Sequence, residues 1–420
     1  MVTELRTLSA PQEAILAADV LSADPAAYTM VSAITVSGPV ATDALRASAV
    51  ITIQRHEALH WALHLDCDQR IWARSPAEAP PVPVSETDLT GLSHDQATEA
   101  VRRSLEIHRA TPFDLWSTGP RIHFHLFHLP ARQGPRTVCA LLTHHLYIDE
   151  HGLHLLWTEL VRRACRPEMF PALILDRRYG PWAQSTSSPQ AGIRAQAAAN
   201  EIARACEGHA PAPYAPVLPA SAAPGSYGQH TEELDPIDLS PLAARAEVTE
   251  TALLTAAVAQ SVAEQTGERR PILHMPISLR RTAEEASIVG CFVTAAAMPV
   301  DVRNLHGPLD LAARCQQALA LVHHHAHAAP NRTAQAIGRP QISLAIEQPP
   351  LPRSLGAARW TTLPAADAGP KHPLSIQMSV SAKQSGRVRL AWTPGALTPM
   401  TARDLVARIR EHLHPLTTKG

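Results

Sequence analysis

The sequence predicts a mixed α/β protein built from two lobes of similar size. Its 420 residues exceed the roughly 100–200 of a single domain, and 45% hydrophobic residues can supply a sizeable core. Strand-like alternation and helical periodicity follow each other along both halves. A stretch dominated by Pro, Ala and Gly, with no amphipathic period, separates the halves. We therefore expect lobes at residues 1–206 and 229–420, joined by a linker at 207–228.

The first half alternates helical and extended patterns. Helical periodicity begins near Gln12, and Thr42 or Asp43 is the candidate cap of a second helix that runs to about Gln54. A third amphipathic pattern covers residues 95–110. Alternating or continuous apolar runs predict strands, and prolines predict a loop: strands over 29–36, 63–72, 122–129 and 136–143, and a loop over 75–86.

The second half repeats this alternation. Thr249 is a plausible cap for a helix that runs to about Gln265 and stops at Gly267. The remaining predicted elements are strands over 228–234, 272–277, 292–300, 374–382 and 388–392, and helices over 309–328 and 401–413.

Composition argues against several classes of protein. The 37 basic and 38 acidic residues give a formal net charge of −1, which is not a nucleic-acid electrostatic footprint. No apolar run approaches the roughly 20 residues of a membrane span, and the N-terminus does not resemble a signal peptide. The six cysteines form no CxxC pair. We read them as reduced core thiols, which predicts a cytoplasmic protein.

Residues 144–152, His-His-Leu-Tyr-Ile-Asp-Glu-His-Gly, form the most informative stretch. They follow a strand-like apolar run, 138–143, and precede apolar residues at helical spacing. The pattern therefore places two imidazoles and carboxylates at the edge of a strand, where side chains can face a cleft. An imidazole can accept a proton near neutral pH because its ordinary pKa is about 6.5.

Several segments, in order, resemble the condensation domains of nonribosomal peptide synthetases, which belong to the chloramphenicol acetyltransferase-like superfamily of HHxxxD acyltransferases. Together they are more specific than HHxxxD alone, which defines three positions. The segments are Leu8-Ser-Ala-Pro-Gln12, Arg55-His-Glu-Ala-Leu59, Pro112-Phe-Asp-Leu115, His144-His145-x-x-x-Asp149, Tyr179-Gly-Pro-Trp-Ala183 and Ile288-Val-Gly-Cys-Phe-Val293.

The sequence departs from the family pattern at four positions. His60 and Pro181 stand where Arg and Asp are usual, and Thr294 stands where Asn is usual. Glu150 replaces the Gly that normally follows the motif Asp. The last third of the chain fits more loosely, without clear counterparts of the late motifs.

The resemblance implies two chloramphenicol acetyltransferase-like lobes that form a V-shaped pseudo-dimer with a central channel. It implies transfer of an acyl group from a thioester to an amine or alcohol, in the biosynthesis of an antibiotic or other natural product. The co-substrate would be a phosphopantetheine thioester on an acyl or peptidyl carrier protein, or a CoA thioester, with no permanently bound cofactor. The ends of the chain lie close to the limits of one such domain, so we expect a freestanding, monomeric enzyme.

The resemblance also assigns roles at the site. His145 would be the catalytic base or a positioning group, with His144 packed beside it. Asp149 would be structural, paired with Arg280, for which Arg281 is the near alternative. The candidates for the substrate channel are Glu150, Gly152, Gly290, Phe292 and Trp182, of which Glu150 either binds an amino acceptor or faces solvent.

Three other hypotheses remain. A CoA-dependent acyltransferase for a small alcohol or amine would share the same site. A non-catalytic module that recruits carriers is disfavoured because both His144 and His145 are present. A metal site using His123 and His125 together with the motif histidines lacks supporting acidic or Cys ligands, so we expect no metal.

Overall fold

The computed structural model describes residues 4–22, 24–116, 121–130, 136–170, 174–214, 227–328, 330–339, 341–347, 353–363 and 369–417. These residues form a mixed α/β fold, as predicted. The helices are α1 Ala10–Val20, α2 Thr42–Arg55, α3 His94–Arg109, α4 Glu150–Cys165, α5 Tyr179–Thr186, α6 Pro189–Ala205, α7 Ser240–Arg245, α8 Glu250–Thr266, α9 Pro308–His324, α10 Pro330–Ile337 and α11 Pro399–Thr417.

The strands make three sheets. Two sheets have six strands each, in the orders β12-β13-β2-β7-β6-β5 and β10-β9-β11-β14-β15-β8, and a small sheet has the order β1-β4-β3. The strands are β1 Glu4–Arg6, β2 Thr29–Ser37, β3 Ala62–Leu65, β4 Ile71–Ser75, β5 Val84–Asp88, β6 Ile122–Leu129, β7 Arg136–His144, β8 Gly228–Leu234, β9 Ile272–Ser278, β10 Val293–Pro299, β11 Ile342–Ile346, β12 Arg353–Leu355, β13 Ala358–Thr362, β14 Leu374–Ser379 and β15 Gly386–Trp392.

Contacts divide the chain into two compact units, each built from stretches that are separate in the sequence. The first unit contains Met1–Ala191 together with Arg280–Phe292 and Pro350–Ala368, and the second contains the remainder. The first unit therefore includes two segments from the second half of the sequence. The predicted linker at 207–228 falls largely outside the described residues, and the V-shaped pairing of lobes stays a prediction.

Each unit has its own apolar core. In the first unit, the buried faces of β2, β6 and β7 pack with apolar residues of α2 and α4. In the second, α8, α9 and α11 pack on the sheet that has β11 and β14 at its centre. α8 is apolar around most of its surface, from Ala252 to Val262, because it lies inside this core.

Helix caps explain several boundaries. The Ser9 hydroxyl accepts from the backbone N–H of Gln12, and the Gln12 side chain accepts from the Ser9 N–H, which forms a capping box for α1. Thr249 caps α8 as predicted, and Gly267 ends it in the left-handed conformation. The expected side-chain cap at Thr42 or Asp43 was wrong, because Ala41 occupies the cap position and makes no such bond.

Some elements differ from the sequence prediction. The extended stretch predicted over 63–72 is instead a hairpin of β3 and β4, and β5 begins inside the predicted loop at 75–86. The pairing of β6 with β7 was predicted correctly and is antiparallel. No helix among the described residues has the length and apolar character needed to cross a bilayer.

Candidate active site

The two motif histidines lie where β7 ends and the chain turns toward α4. β7 is held between β2 and β6, and its last residue, His144, pairs with Thr29 of β2. The backbone N–H of His145 then donates to the Tyr28 carbonyl at 2.9 Å. Because β7 is buried along almost its full length, the sheet fixes the position from which both imidazoles project.

His145 has a defined orientation and remains partly exposed. Its Nδ1 lies 3.1 Å from the carbonyl oxygen of Ile148, three residues later in the same turn. A carbonyl oxygen only accepts, so Nδ1 carries the proton in this hydrogen bond. The neutral ring then has its lone pair on Nε2, which is the atom that can take a proton from a substrate.

His144 points elsewhere and is buried, with 2% of its surface exposed. Its Nδ1 accepts from the Leu146 backbone N–H at 3.1 Å, and its Nε2 lies 3.5 Å from the Asp19 carboxylate. These contacts require the opposite tautomer from that of His145, with the proton on Nε2. His144 therefore supports the turn that carries His145, whereas Asp19 is a partner that no sequence motif indicated.

Asp149 is the N-cap of α4, and its carboxylate is fully engaged. It accepts from the Gly152 N–H at 2.7 Å, from the Phe292 N–H at 2.9 Å and from both terminal nitrogens of Arg280. The two side chains are 6% and 5% exposed. The structure thus brings Asp149 and Arg280 together in a buried bidentate ion pair.

Arg280 connects this pair to the 288–292 segment. Its guanidinium also donates to the carbonyls of Ile288 at 3.2 Å and Gly290 at 3.3 Å, and it lies 4.1 Å from the centre of the Phe292 ring. The alternative, Arg281, is exposed, and its backbone N–H donates to Glu285. Arg280 therefore holds the segment against the start of α4.

Gly152 and Gly290 allow this close packing. A Cβ on Gly152 would lie 2.7 Å from Ile148 Cγ1 and 3.1 Å from the Gly290 oxygen. A Cβ on Gly290 would lie 2.3 Å from the Tyr179 ring. Both glycines thus have packing roles at the motif, and neither has a positive φ.

The other candidates for the channel divide into an exposed and an aromatic group. Glu150 is exposed at the first position of α4. The rings of Phe292 and Trp182 are 4.0 Å apart, and the Tyr179 ring lies 5.4 Å from each. Phe292 is fully buried and Trp182 is partly buried. The three rings therefore form a packed aromatic cluster in the core beside the site.

Residues of the earlier motifs support the same turn from a distance. The Gln12 amide donates to the Leu146 carbonyl at 2.9 Å, and Tyr179 donates its hydroxyl proton to the Cys291 carbonyl at 2.9 Å. Glu57 accepts from the Gly180 N–H at 2.8 Å, and its burial raises the pKa of its carboxyl. These contacts hold the segments of the earlier motifs in place around the site.

A second group of histidines lies elsewhere in the first unit. His125 contacts His108 at 3.1 Å and the Thr87 hydroxyl at 2.8 Å, and burial, together with His108, lowers its pKa to about 4. Across the described residues, no three His, Cys, Asp or Glu side chains are arranged to hold a metal ion.

Known proteins resemble this chain in family and in fold. The Condensation domain family matches residues 2–331. The first condensation domain of the calcium-dependent antibiotic synthetase, with a substrate analogue, is 19% identical with a TM-score of 0.81, and the match covers 99% of this chain and 97% of that one. No curated protein matches the chain.

Two further solved structures share the fold. A starter condensation domain of rhizomide synthetase, in complex with C8-CoA and Leu-SNAC, is 18% identical with a TM-score of 0.79, covering 98% of this chain and 94% of that one. The SgcC5 protein from Streptomyces globisporus is 15% identical with a TM-score of 0.77, covering 98% and 99%.

Proposed function

Because the chain belongs to the condensation-domain family, we propose that it joins the acyl group of a thioester to an amine or alcohol. The family implies a condensation acyltransferase activity. The acceptor and the carrier of the thioester are our inference. The observation that supports the proposal most is the pair of opposite tautomers at the motif, which gives His145, and not His144, an Nε2 that can accept a proton.

In the proposed reaction, the acceptor nitrogen or oxygen attacks the thioester carbonyl while its proton passes to Nε2 of His145. A carbon–nitrogen or carbon–oxygen bond forms, and the carbon–sulfur bond then breaks. The leaving thiolate takes up the proton from the imidazolium, which restores the enzyme. A positioned base of this kind contributes about 10²–10⁴-fold to the rate.

Asp149 does not act as a base in this scheme. Its carboxylate already accepts from Arg280 and from two backbone N–H groups, which leaves it a structural role. The positive end of the α4 dipole faces the motif turn and would favour the developing oxyanion. In this scheme Glu150, which is exposed at the first position of α4, binds a charged amino group of the acceptor other than the attacking nitrogen, which has to be neutral.

The donor is a thioester of phosphopantetheine on a carrier protein, with CoA as the alternative. The rhizomide synthetase domain was solved with a CoA thioester, which favours testing both. The SgcC5 protein was solved with an aryl ethanediol, which favours including alcohols among the acceptors. A natural-product pathway fits this chemistry and the antibiotic synthetase among the structural relatives.

The test is intact-mass detection of acyl loss from a panel of carrier-protein and CoA thioesters, each paired with amines and alcohols. We expect an enzyme-dependent acylated acceptor, heavier than the free acceptor by the mass of the acyl group less one hydrogen. Thioesters that remain intact across the panel, with folded protein present, would contradict the proposal and would favour a non-catalytic recruiting module.

A further inference from the structure

The middle residue of the motif turn, Leu146, is held from α1 at both polar groups of its backbone. The Gln12 amide donates to the Leu146 carbonyl at 2.9 Å. The Leu146 N–H donates to Nδ1 of His144 at 3.1 Å, and Nε2 of that ring lies 3.5 Å from the Asp19 carboxylate. Gln12 and Asp19 are about two helical turns apart, so they share one face of α1. The helix therefore contacts this turn directly through Gln12 and indirectly through Asp19 and His144.

Helix stability does not explain the position of Asp19. Asp19 lies in the last turn of α1, which contains no basic residue. A carboxylate is unfavourable there, because the carbonyl end of a helix carries a partial negative charge. In the described part of the chain, its Oδ1 is buried without a hydrogen-bond partner, and its Oδ2 lies against His144. The contact with His144 is therefore what the structure offers as the role of this carboxylate.

A carboxylate at this place selects one tautomer of His144. An ionised carboxylate only accepts hydrogen bonds, so Asp19 stabilises a ring that carries its proton on Nε2. Nδ1 then keeps the lone pair that accepts from the Leu146 N–H. The opposite tautomer would place two donors 3.1 Å apart at Leu146 and a bare Nε2 beside the carboxylate. Both contacts would be repulsive, and His144, at 2% exposure, has little access to water that could relieve them.

The same turn carries the proposed base. His145 donates from Nδ1 to the Ile148 carbonyl at 3.1 Å, so the direction of its Nε2 depends on the conformation of residues 144–148. Leu146 lies in the middle of this stretch. A change in its backbone contacts would therefore redirect His145 without removing any atom that meets the substrate.

We propose that Asp19 is a positioning residue for acyl transfer. It holds the proton of His144 on Nε2, and His144 in turn holds the Leu146 backbone in the conformation that directs Nε2 of His145 toward the acceptor. Asp19 itself exchanges no proton with the substrate. The effect on turnover rests on the proposed function, whereas the tautomer of His144 can be measured without it.

The first test determines that tautomer by heteronuclear NMR of protein with isotope-labelled histidine rings. The His144 signals are identified by their loss in His144→Gln. Wild type should show the proton on Nε2, and Asp19→Ala should show both tautomers. Alanine favours the helix and removes an unfavourable charge from its end, so this variant should fold, as circular dichroism would show. A His144 ring that stays entirely in the Nε2–H form in Asp19→Ala would overturn the proposal.

Two further variants make the comparison specific. Asp19→Asn keeps an oxygen that accepts from Nε2–H, so it should retain the wild-type tautomer. Asp95→Ala removes an exposed carboxylate from α3 in the same unit, and it should leave both the His144 signals and the turnover unchanged.

Acyl transfer then tests the consequence for catalysis. The kcat of Asp19→Ala should fall by about 10–10²-fold, the cost of misplacing a reacting group by about 1 Å. KM should stay near the wild-type value, because no substrate contact is removed. In a His144→Ala background the same substitution should have no further effect, because Asp19 acts through His144.

The outcomes separate this proposal from its rivals. An equal loss of kcat in both backgrounds would overturn it and would assign Asp19 to Tyr28 instead, whose pKa is raised to about 12 by burial and then by the Asp19 charge. Wild-type protein without any turnover would contradict the proposed function, and the NMR comparison would still decide whether Asp19 sets the tautomer of His144.

Discussion

Replacing Asp149 with Ala should destabilise the first compact unit much more than a typical surface substitution would. The carboxylate receives four hydrogen bonds, two from Arg280 and one each from the N–H groups of Gly152 and Phe292. Removing it leaves the Arg280 charge in a site where its side chain is only 5% exposed. Breaking a buried ion pair by removing one partner costs about 3–5 kcal/mol.

A second variant separates the lost bonds from the stranded charge. Asp149→Ala/Arg280→Met removes both charges, so it should recover part of the loss of the single variant. Asp149→Asn keeps an oxygen acceptor but loses the negative charge, so its stability should lie between those of wild type and Asp149→Ala. Asp404→Ala, at an exposed position of α11, is the control and should change stability by less than about 0.5 kcal/mol.

The measurement is urea unfolding followed by tryptophan fluorescence, combined with hydrogen exchange along α4 and residues 280–292. We expect a lower unfolding midpoint and faster exchange in both segments, because Asp149 joins them. An Asp149→Ala protein that unfolds within about 0.5 kcal/mol of wild type, with unchanged exchange, would refute the bracing role of this carboxylate.

Three other predictions follow from buried groups. Burial lowers the pKa of His60 from 6.5 to about 4, so the unfolded state binds a proton more readily than the folded state between these values. The free energy of unfolding should therefore fall by about 1.4 kcal/mol per pH unit as the pH drops from 6.5 toward 4. His60→Gln should flatten this dependence when unfolding is measured at several pH values. Gly152→Ala should lower the free energy of unfolding, measured with denaturant, by about 1–3 kcal/mol, because the new Cβ would lie 2.7 Å from Ile148 Cγ1. The control is Gly192→Ala, whose Cβ would have no neighbouring atom within 4 Å and which should not lower the free energy of unfolding. Tyr179→Phe should lower the free energy of unfolding by about 0.5–1.5 kcal/mol, because it removes the buried hydrogen bond from the Tyr179 hydroxyl to the Cys291 carbonyl. An unchanged unfolding midpoint would contradict that role.

The sequence predicted the elements that have strong local signals. The apolar run at 138–143 and the alternation at 122–129 identified β7 and β6, and Thr249 and Gly267 marked both ends of α8. These features are determined within a few residues of the chain. The family motifs then indicated that Asp149 would meet Arg280, a contact across 131 residues that periodicity alone does not reveal.

The sequence did not reveal features that depend on tertiary contacts. The short strands β12 and β13 join the sheet of the first unit only because β2 offers an edge for pairing. Asp19 meets His144 because α1 lies beside the motif turn, and neither residue type marks that contact in advance.

Turnover of His145→Ala is the most direct test of the proposed catalytic role. The variant and wild type would be compared with the same thioester and acceptor, after circular dichroism has shown that both are folded. Because Nε2 of His145 is the proposed proton acceptor, we expect acyl transfer to fall by about 10²–10⁴-fold with the fold intact. Equal turnover by the two folded proteins would contradict the assignment of His145 as the catalytic residue.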